Sequence, residues 1–204
     1  MEKKDMWLIE RSHLEKGITY ICGVDEAGRG PLAGPVCAAA VILPPDLEIP
    51  GLDDSKKLTD KRRRELFPVI KEKAIAYGIA FATHEEIDEI NILQATYLAM
   101  ERAMNSLAVR PEMALIDGNR AKDFGLPVQT VVKGDSLSAS IAAASILAKV
   151  TRDDYMEEMA KVYPQYAFEV HKGYGTKLHY EKIASFGPSP IHRMTFLKKL
   201  YGTK

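Results

Sequence analysis

From Pro35 to Leu43 nine residues pass without a polar side chain, and Pro44 and Pro45 close the run. A short, unbroken apolar stretch of this kind predicts a strand covered on both faces. Similar runs predict strands over Ile18–Asp25, Tyr77–Ala82, Met113–Asp117 and Val128–Val132. Between them the spacing of apolar residues changes to the helical period. Thr59 caps a helix reaching about Ala74, and Thr83 with Glu86 forms a capping box that opens a helix ending near Leu107. An alanine-rich helix is expected from Ser136 to Val150, its small side chains suited to close approach to a sheet. A separate polar helix is expected from Thr151 to Val162, ended by Pro164. After a glycine loop at His171–Gly175, a further helix is expected from Thr176 to about Ser185. Five strands with intervening helices predict an α/β fold with a mixed sheet in layers, built as one domain over residues 1–204, with no internal repeat or linker.

Composition narrows the class without naming a chemistry. The 204 residues are 46% apolar and 27% charged, which is the make-up of a globular chain with a core of its own. No apolar run reaches membrane-spanning length, and Met1–Asp5 lacks the apolar core of a signal peptide, so a cytoplasmic location is expected. Cys22 and Cys37 fall in strand-like segments without metal spacing and read as buried, reduced thiols. Formal net charge is zero, so long-range attraction to a polyanion is modest. Two basic clusters stand out against that balance: Lys56, Lys57, Lys61, Arg62, Arg63 and Arg64, and Lys198, Lys199 and Lys204. Each also fits a solvated helix face.

The candidate chemistry starts at the end of the first strand. Asp25 and Glu26 are adjacent there and run into a glycine turn, Ala27–Pro31. Neighbouring carboxylates repel unless a cation neutralises them, and hard divalent cations such as magnesium or manganese prefer carboxylate oxygens. The glycines beside them leave backbone N–H groups open to an anion or a sugar hydroxyl. Asp117 ends another strand, and Asp135 precedes a helix. Taken singly, Asp117 followed by Gly118 fits a hairpin turn and Asp135 fits a helix N-cap. Asp153 and Asp154 fit the first turn of the polar helix, where acids favour the helix dipole. In an open sheet, however, strand ends and adjoining helix starts meet along one edge, where ligands bind. Asp25, Glu26, Asp117 and Asp135 gathered there would suit two-metal phosphodiester chemistry. One geometric difficulty stands in the way: adjacent strand residues point to opposite faces. It is relieved if the first strand ends at Asp25, as the following glycines suggest.

Other constellations fail. The stretch Gly28–Gly34 is mis-spaced for a dinucleotide loop, contains Pro31 and leads into a strand. His13, His84, His171, His179 and His192 have no zinc spacing and read as surface or structural.

The segment Gly23–Val36, together with Asp54–Leu58, Ile116–Asn119, Lys133–Asp135, Ala142–Asp153, His171–Thr176 and Pro190–Arg193, resembles the signature of ribonuclease HII, the type 2 ribonucleases H. The blocks are ordered, span most of the chain and show no departure at a motif position. The resemblance implies a ribonuclease H-like sheet with a helical C-terminal addition from about residue 165. It implies cleavage of RNA in RNA–DNA hybrids and incision at single ribonucleotides in duplex DNA, with magnesium or manganese as cofactor. Carried over, Asp25, Glu26, Asp117 and Asp135 become the catalytic, metal-binding carboxylates. Gly28, Arg29 and Gly30 would grip the junction between a ribonucleotide and the next deoxyribonucleotide, and Tyr174 would pack on its deoxyribose side. Asp153 matches the pattern but reads as structural. Related type 3 enzymes usually carry an extra N-terminal domain and a lysine where Arg29 stands, which favours type 2. A monomer is expected. Two rivals stay open on the residues alone: a DNA-only nuclease of the same fold, and a non-catalytic nucleic-acid-binding module.

Overall fold

The computed structural model describes residues 5–201, so Met1–Lys4 and Lys204 of the second basic cluster lie outside the described residues. Five strands form one sheet in the order β3-β2-β1-β4-β5. They are β1 (Ile21–Ala27), β2 (Val36–Ile42), β3 (Ala76–Ala82), β4 (Met113–Asp117) and β5 (Val128–Val131). The first three make an antiparallel meander, and β4 and β5 run parallel to β1, so the sheet is mixed. Every residue of β2 is buried, as its unbroken apolar run requires.

Helix α3 (His84–Asn105) covers one face; α2 (Asp60–Lys73) and α4 (Ala139–Val162) cover the other. The alternation of β1 divides its side chains between them. Cys22 and Val24 join the α3-side core, whereas Gly23 lies against α4. A methyl group at Gly23 would stand 2.1 Å from the Ser140 carbonyl carbon, so the helix can lie this close only because no side chain is there. The alanines of α4 provide the matching surface, with Ala139, Ala142, Ala143, Ala144 and Ala148 all buried.

Thr83 and Glu86 form the expected reciprocal cap, and Thr59 caps α2. Other expectations are corrected. The first strand does not stop at Asp25: Glu26 and Ala27 stay in the ladder, opposite Ala38 and Cys37, because β2 supplies their partners. The two helices expected over 136–162 are one. The change from apolar to polar marks where α4 outruns the sheet, not where it ends. Ser138, not Asp135, caps it, through a bond from the Ile141 N–H. Asp153 and Asp154 therefore sit mid-helix, away from the dipole's end. Asp153 is buried against Lys149 Nζ at 2.7 Å, and Asp154 pairs with Arg64 of α2. Asp117 is not in a hairpin, since β4 and β5 are parallel. A short helix that the sequence pattern did not suggest, α1 (Leu8–Leu14), precedes the sheet.

The residues after Pro164 carry α5 (Phe168–His171), α6 (Lys177–Phe186) and α7 (Met194–Tyr201). They return to the segment between β1 and β2: Ala33 and His192 form an isolated bridge, and Phe168 and Ile191 pack with Ala33. Most of the first basic cluster is neutralised nearby, with Arg62 on Glu65 and Arg64 on Asp60, Asp154 and Glu157.

Candidate active site

Asp25 near the end of β1 and Asp117 at the end of β4 lie on neighbouring parallel strands, on the face that α4 covers. Register puts Val24 beside Ile116, so the next residues, the two aspartates, are neighbours too. The chain from β5 turns at Lys133 in left-handed conformation and enters a single 3-10 turn, Gly134–Ser136, which brings Asp135 to the same edge. The Gly134 N–H donates to Asp117 Oδ1 at 2.6 Å and ties the turn to β4. As a result one carboxylate oxygen from each of Asp25, Asp117 and Asp135 falls within 4.8 Å of the others. Asp25 and Asp135 are buried.

Glu26 does not join that group. The unbroken strand sends its side chain to the other side of the pleat, where Arg29 Nη1 stands 3.5 Å from its Oε1. It is nonetheless within reach of the Asp117 charge.

Electrostatics bear out the crowding. Burial, and then the Glu26 and Asp117 charges, hold the Asp25 carboxyl well above the usual carboxylate range. Burial also raises Glu26, with the Arg29 charge pulling it back and Asp117 pushing it up. Burial raises Asp135 against the opposing bond from Lys56, whose Nζ lies 3.2 Å from its Oδ2. Lys56 also feels Asp25 and Asp117. Sequence reasoning placed it in a basic cluster and in the Asp54–Leu58 block without a site role, and its role emerges because the loop before α2 folds over the sheet edge. The signal available was the loop Asp53–Lys57, whose Asp54 Oδ1 accepts from the Lys56 N–H at 2.8 Å. A cavity of about 720 Å³ between α1 and the Asp46–Asp53 loop contains none of the three aspartates. The site is an open sheet edge.

Beside the acids the glycine turn is held from behind by two buried arginines. Arg193 donates to the carbonyls of Gly28 (2.6 Å), Arg29 (2.9 Å) and Gly34 (2.9 Å). Arg152 donates to those of Ala33 (3.2 Å), Pro35 (3.0 Å) and Lys172 (3.0 Å). Gly28 has φ +95°, and a Cβ there would meet Arg152 Nε at 1.9 Å, so conformation and space both demand glycine. With these carbonyls drawn inward to guanidinium groups, the opposite edge of the turn is left to a ligand. Among the described residues the Gly30 N–H has no partner. A Cβ on Gly30 would lie 3.8 Å from Tyr174 Cε1, so that half-exposed ring stands directly beside the turn. Arg152 is stacked behind the ring at 5.7 Å.

The structure thus brings Asp25, Asp117 and Asp135 together, sets Gly28, Arg29, Gly30 and Tyr174 alongside, and leaves Glu26 across the pleat. The family model described as ribonuclease HII matches residues 22–199. The chain belongs to the ribonuclease HII family. It is accordingly a metal-dependent endonuclease of the ribonuclease H class, acting on nucleic acid. A ribonuclease HII of Endomicrobium trichonymphae is 56% identical over 94% of this chain and 92% of its own length. One from Clostridioides difficile is 54% identical over 95% of this chain and 76% of its own. Among solved structures, ribonuclease H2 from Pyrococcus horikoshii is 28% identical with a TM-score of 0.72, covering 91% of this chain and all of that one. Membership in ribonuclease HII agrees with the mixed five-stranded sheet and its flanking helices. No helix among the described residues is long and apolar enough to cross a membrane.

Proposed function

We propose that the chain cuts the RNA strand of RNA–DNA hybrids and also incises duplex DNA at single ribonucleotides, using two metal ions. The observation that carries this reading is the proximity of the carboxylate trio to an amide-rich turn flanked by an aromatic ring. The donor set fits magnesium or manganese, since every candidate ligand is a hard oxygen and the carboxylates are otherwise left to repel one another. Asp25, Asp117 and Asp135 would hold the ions, with Glu26 reaching in from the far side of the pleat. When bound, such ions activate water and stabilise the leaving 3′-oxygen, giving 5′-phosphate and 3′-hydroxyl ends.

The chain's own groups select the site of cutting. RNA differs from DNA by the 2′-hydroxyl, which both donates and accepts hydrogen bonds. The backbone of Gly28–Gly30 can approach it closely because no side chain intervenes. Arg29, half exposed, is free to swing from Glu26 to a phosphate. The Tyr174 ring packs on the following sugar and tolerates only one lacking the hydroxyl, which makes the reading directional. Lys56 holds Asp135 in place by its charge. We take residues 1–204 as one catalytic domain, with about 165–204 an addition that carries Tyr174. It would act as a monomer, since acids and turn come from one chain. A reducing, cytoplasmic setting suits its two buried free thiols.

Matched duplexes carrying zero, one and four ribonucleotides, incubated with magnesium or manganese and with chelator, test the reading. Cutting of the second and third only, and only with metal, is expected. An intact single-ribonucleotide strand, or equal cutting of all-DNA duplex, would defeat it.

A further inference from the structure

Beneath the Tyr174 loop lies a row of buried imidazoles that the cleavage chemistry leaves unused. His171 closes α5, His179 is in α6, and His192 is the residue bridged to Ala33. Their exposures are 6%, 0% and 2%, and the His171 and His179 rings stack at 4.1 Å. The hydrogen bonds fix the proton on each ring. The Tyr174 carbonyl can only accept, so the His179 Nδ1 that lies 3.0 Å from it carries a hydrogen. The Ser189 N–H can only donate, so the His192 Nδ1 it meets at 2.8 Å is bare. Between them His179 Nε2 and His192 Nε2 are 3.0 Å apart, and one proton, on His192, joins them. His171 is assigned by the same logic: the Gly173 N–H donates to its Nδ1, leaving Nε2–H for the Tyr166 carbonyl.

The ends of this chain sit on the two halves of the reading surface. The His192 backbone is tied to the glycine turn through Gly34 N–H to the Ile191 carbonyl at 2.9 Å, and through Arg193 N–H to the Leu32 carbonyl at 2.8 Å. The other end grips Tyr174, whose carbonyl also accepts from the Thr176 N–H at 2.8 Å, so both its lone pairs are engaged. Leu32 N–H to the Gly173 carbonyl closes the loop between them at 2.8 Å.

We propose that His179 is a positioning residue: its Nδ1–H, held in that tautomer by the proton His192 supplies to Nε2, bonds the Tyr174 carbonyl, sets the ring over Gly30 and thereby sets preference for the ribonucleotide–deoxyribonucleotide junction. The proposal rests on the reading of Tyr174 as the ring that contacts the sugar. Rigid imidazoles suit the task, because a relay of fused donors and acceptors has few rotamers to lose and leaves His179 Nδ1 one role, that of donor to Tyr174.

Two replacements of one residue separate the links. The amide nitrogen of His179→Asn falls where Nδ1 was and still donates to Tyr174; the amide of His179→Gln reaches to where Nε2 was, abandons Tyr174 and turns its oxygen to accept from His192 Nε2–H. Selectivity is read as kcat/KM on a single-ribonucleotide duplex over that on a long hybrid. His179→Gln should lower the ratio about five- to tenfold, the worth of one hydrogen bond, while kcat on the long hybrid holds. His179→Asn should stay within about twofold of the parent. Equal losses in the two variants, or none in His179→Gln, would overturn the relay. Tyr174→Ala distinguishes the layers: a loss of selectivity there with none in His179→Gln sinks the relay alone, whereas retained selectivity in Tyr174→Ala sinks the sugar-contact reading and the relay with it. Should either His179 variant fail to fold, nitrogen-15 spectra of the parent's imidazoles decide. Protons on Nδ1 of His179 and on Nε2 of His171 and His192 are expected, and the opposite tautomer at His179 refutes the relay.

Discussion

Replacing Asp25 by Asn should stabilise the metal-free protein while destroying its activity. The side chain is buried, and its nearest oxygen lies within 4.8 Å of one from Asp117 and one from Asp135. Two full charges at that separation repel by about 3.5 kcal/mol at an effective dielectric near 20. The realised cost is smaller, because Lys56 offsets part of it and because Asp25 can keep its proton. A net gain of about 1–3 kcal/mol for Asp25→Asn is therefore expected, or roughly 2–10 °C in Tm for a chain of this size. The asparagine oxygen still accepts from the Glu26 N–H, which donates to Asp25 Oδ1 at 2.7 Å, and its amide donates to the neighbouring carboxylates. Thermal unfolding by circular dichroism in chelator measures the effect. The sign of its pH dependence follows from the raised carboxyl. Folded protein retains a proton that unfolded protein has released, so this group's contribution to stability is lost as pH rises through the folded value. The gap between variant and parent should accordingly widen as pH rises above the ordinary carboxylate range. Adding magnesium or manganese should raise the parent's Tm more than the variant's. An Asp25→Asn protein that is folded but no more stable than its parent in chelator would show that the acids are not in repulsive contact, and would remove the reason to place cations there.

Three further outcomes are expected. Asp117→Asn should abolish cleavage, with rate loss of at least about a thousandfold, while hybrid binding measured by fluorescence anisotropy stays close to the parent's; normal turnover would take Asp117 out of the centre. Gly23→Ala should cost about 3 kcal/mol or more in urea unfolding, because the new methyl group collides with α4 backbone that has no rotamer to yield; a loss below about 1 kcal/mol would mean that the helix is not seated on β1 as described. Burial pulls His179 and His192 down to about 4, with the neighbouring His171 opposing a proton on His179, and His179, His171 and His84 opposing one on His192. Unfolded rings bind protons near 6.5 and folded ones do not, so the stability these rings contribute is complete above 6.5 and is lost as pH falls toward 4. Their ring-proton resonances should keep neutral positions at pH 5, and ordinary titration near 6.5 would contradict the buried relay.

The sequence alone was enough for the five strands in their order, the caps at Thr59 and Thr83 and the buried character of β2, because each depends on local periodicity or on residue chemistry. The family was legible too, since its motifs are contiguous blocks. Tertiary structure decided what depends on partners distant in the chain. Continuation of β1 through Ala27 comes from β2, and it puts Glu26 across the pleat from Asp25. The joining of two expected helices into α4 reflects a helix longer than the sheet beneath it, which polarity alone reads as a break. Lys56 reaches Asp135 across 79 residues, and Arg193 reaches Gly28 across 165, so no local spacing announces either contact. The histidines show the same division most plainly. Their spacing excluded a zinc site, but only the fold, by burying three rings in contact and giving each a partner of fixed polarity, determines where their protons sit.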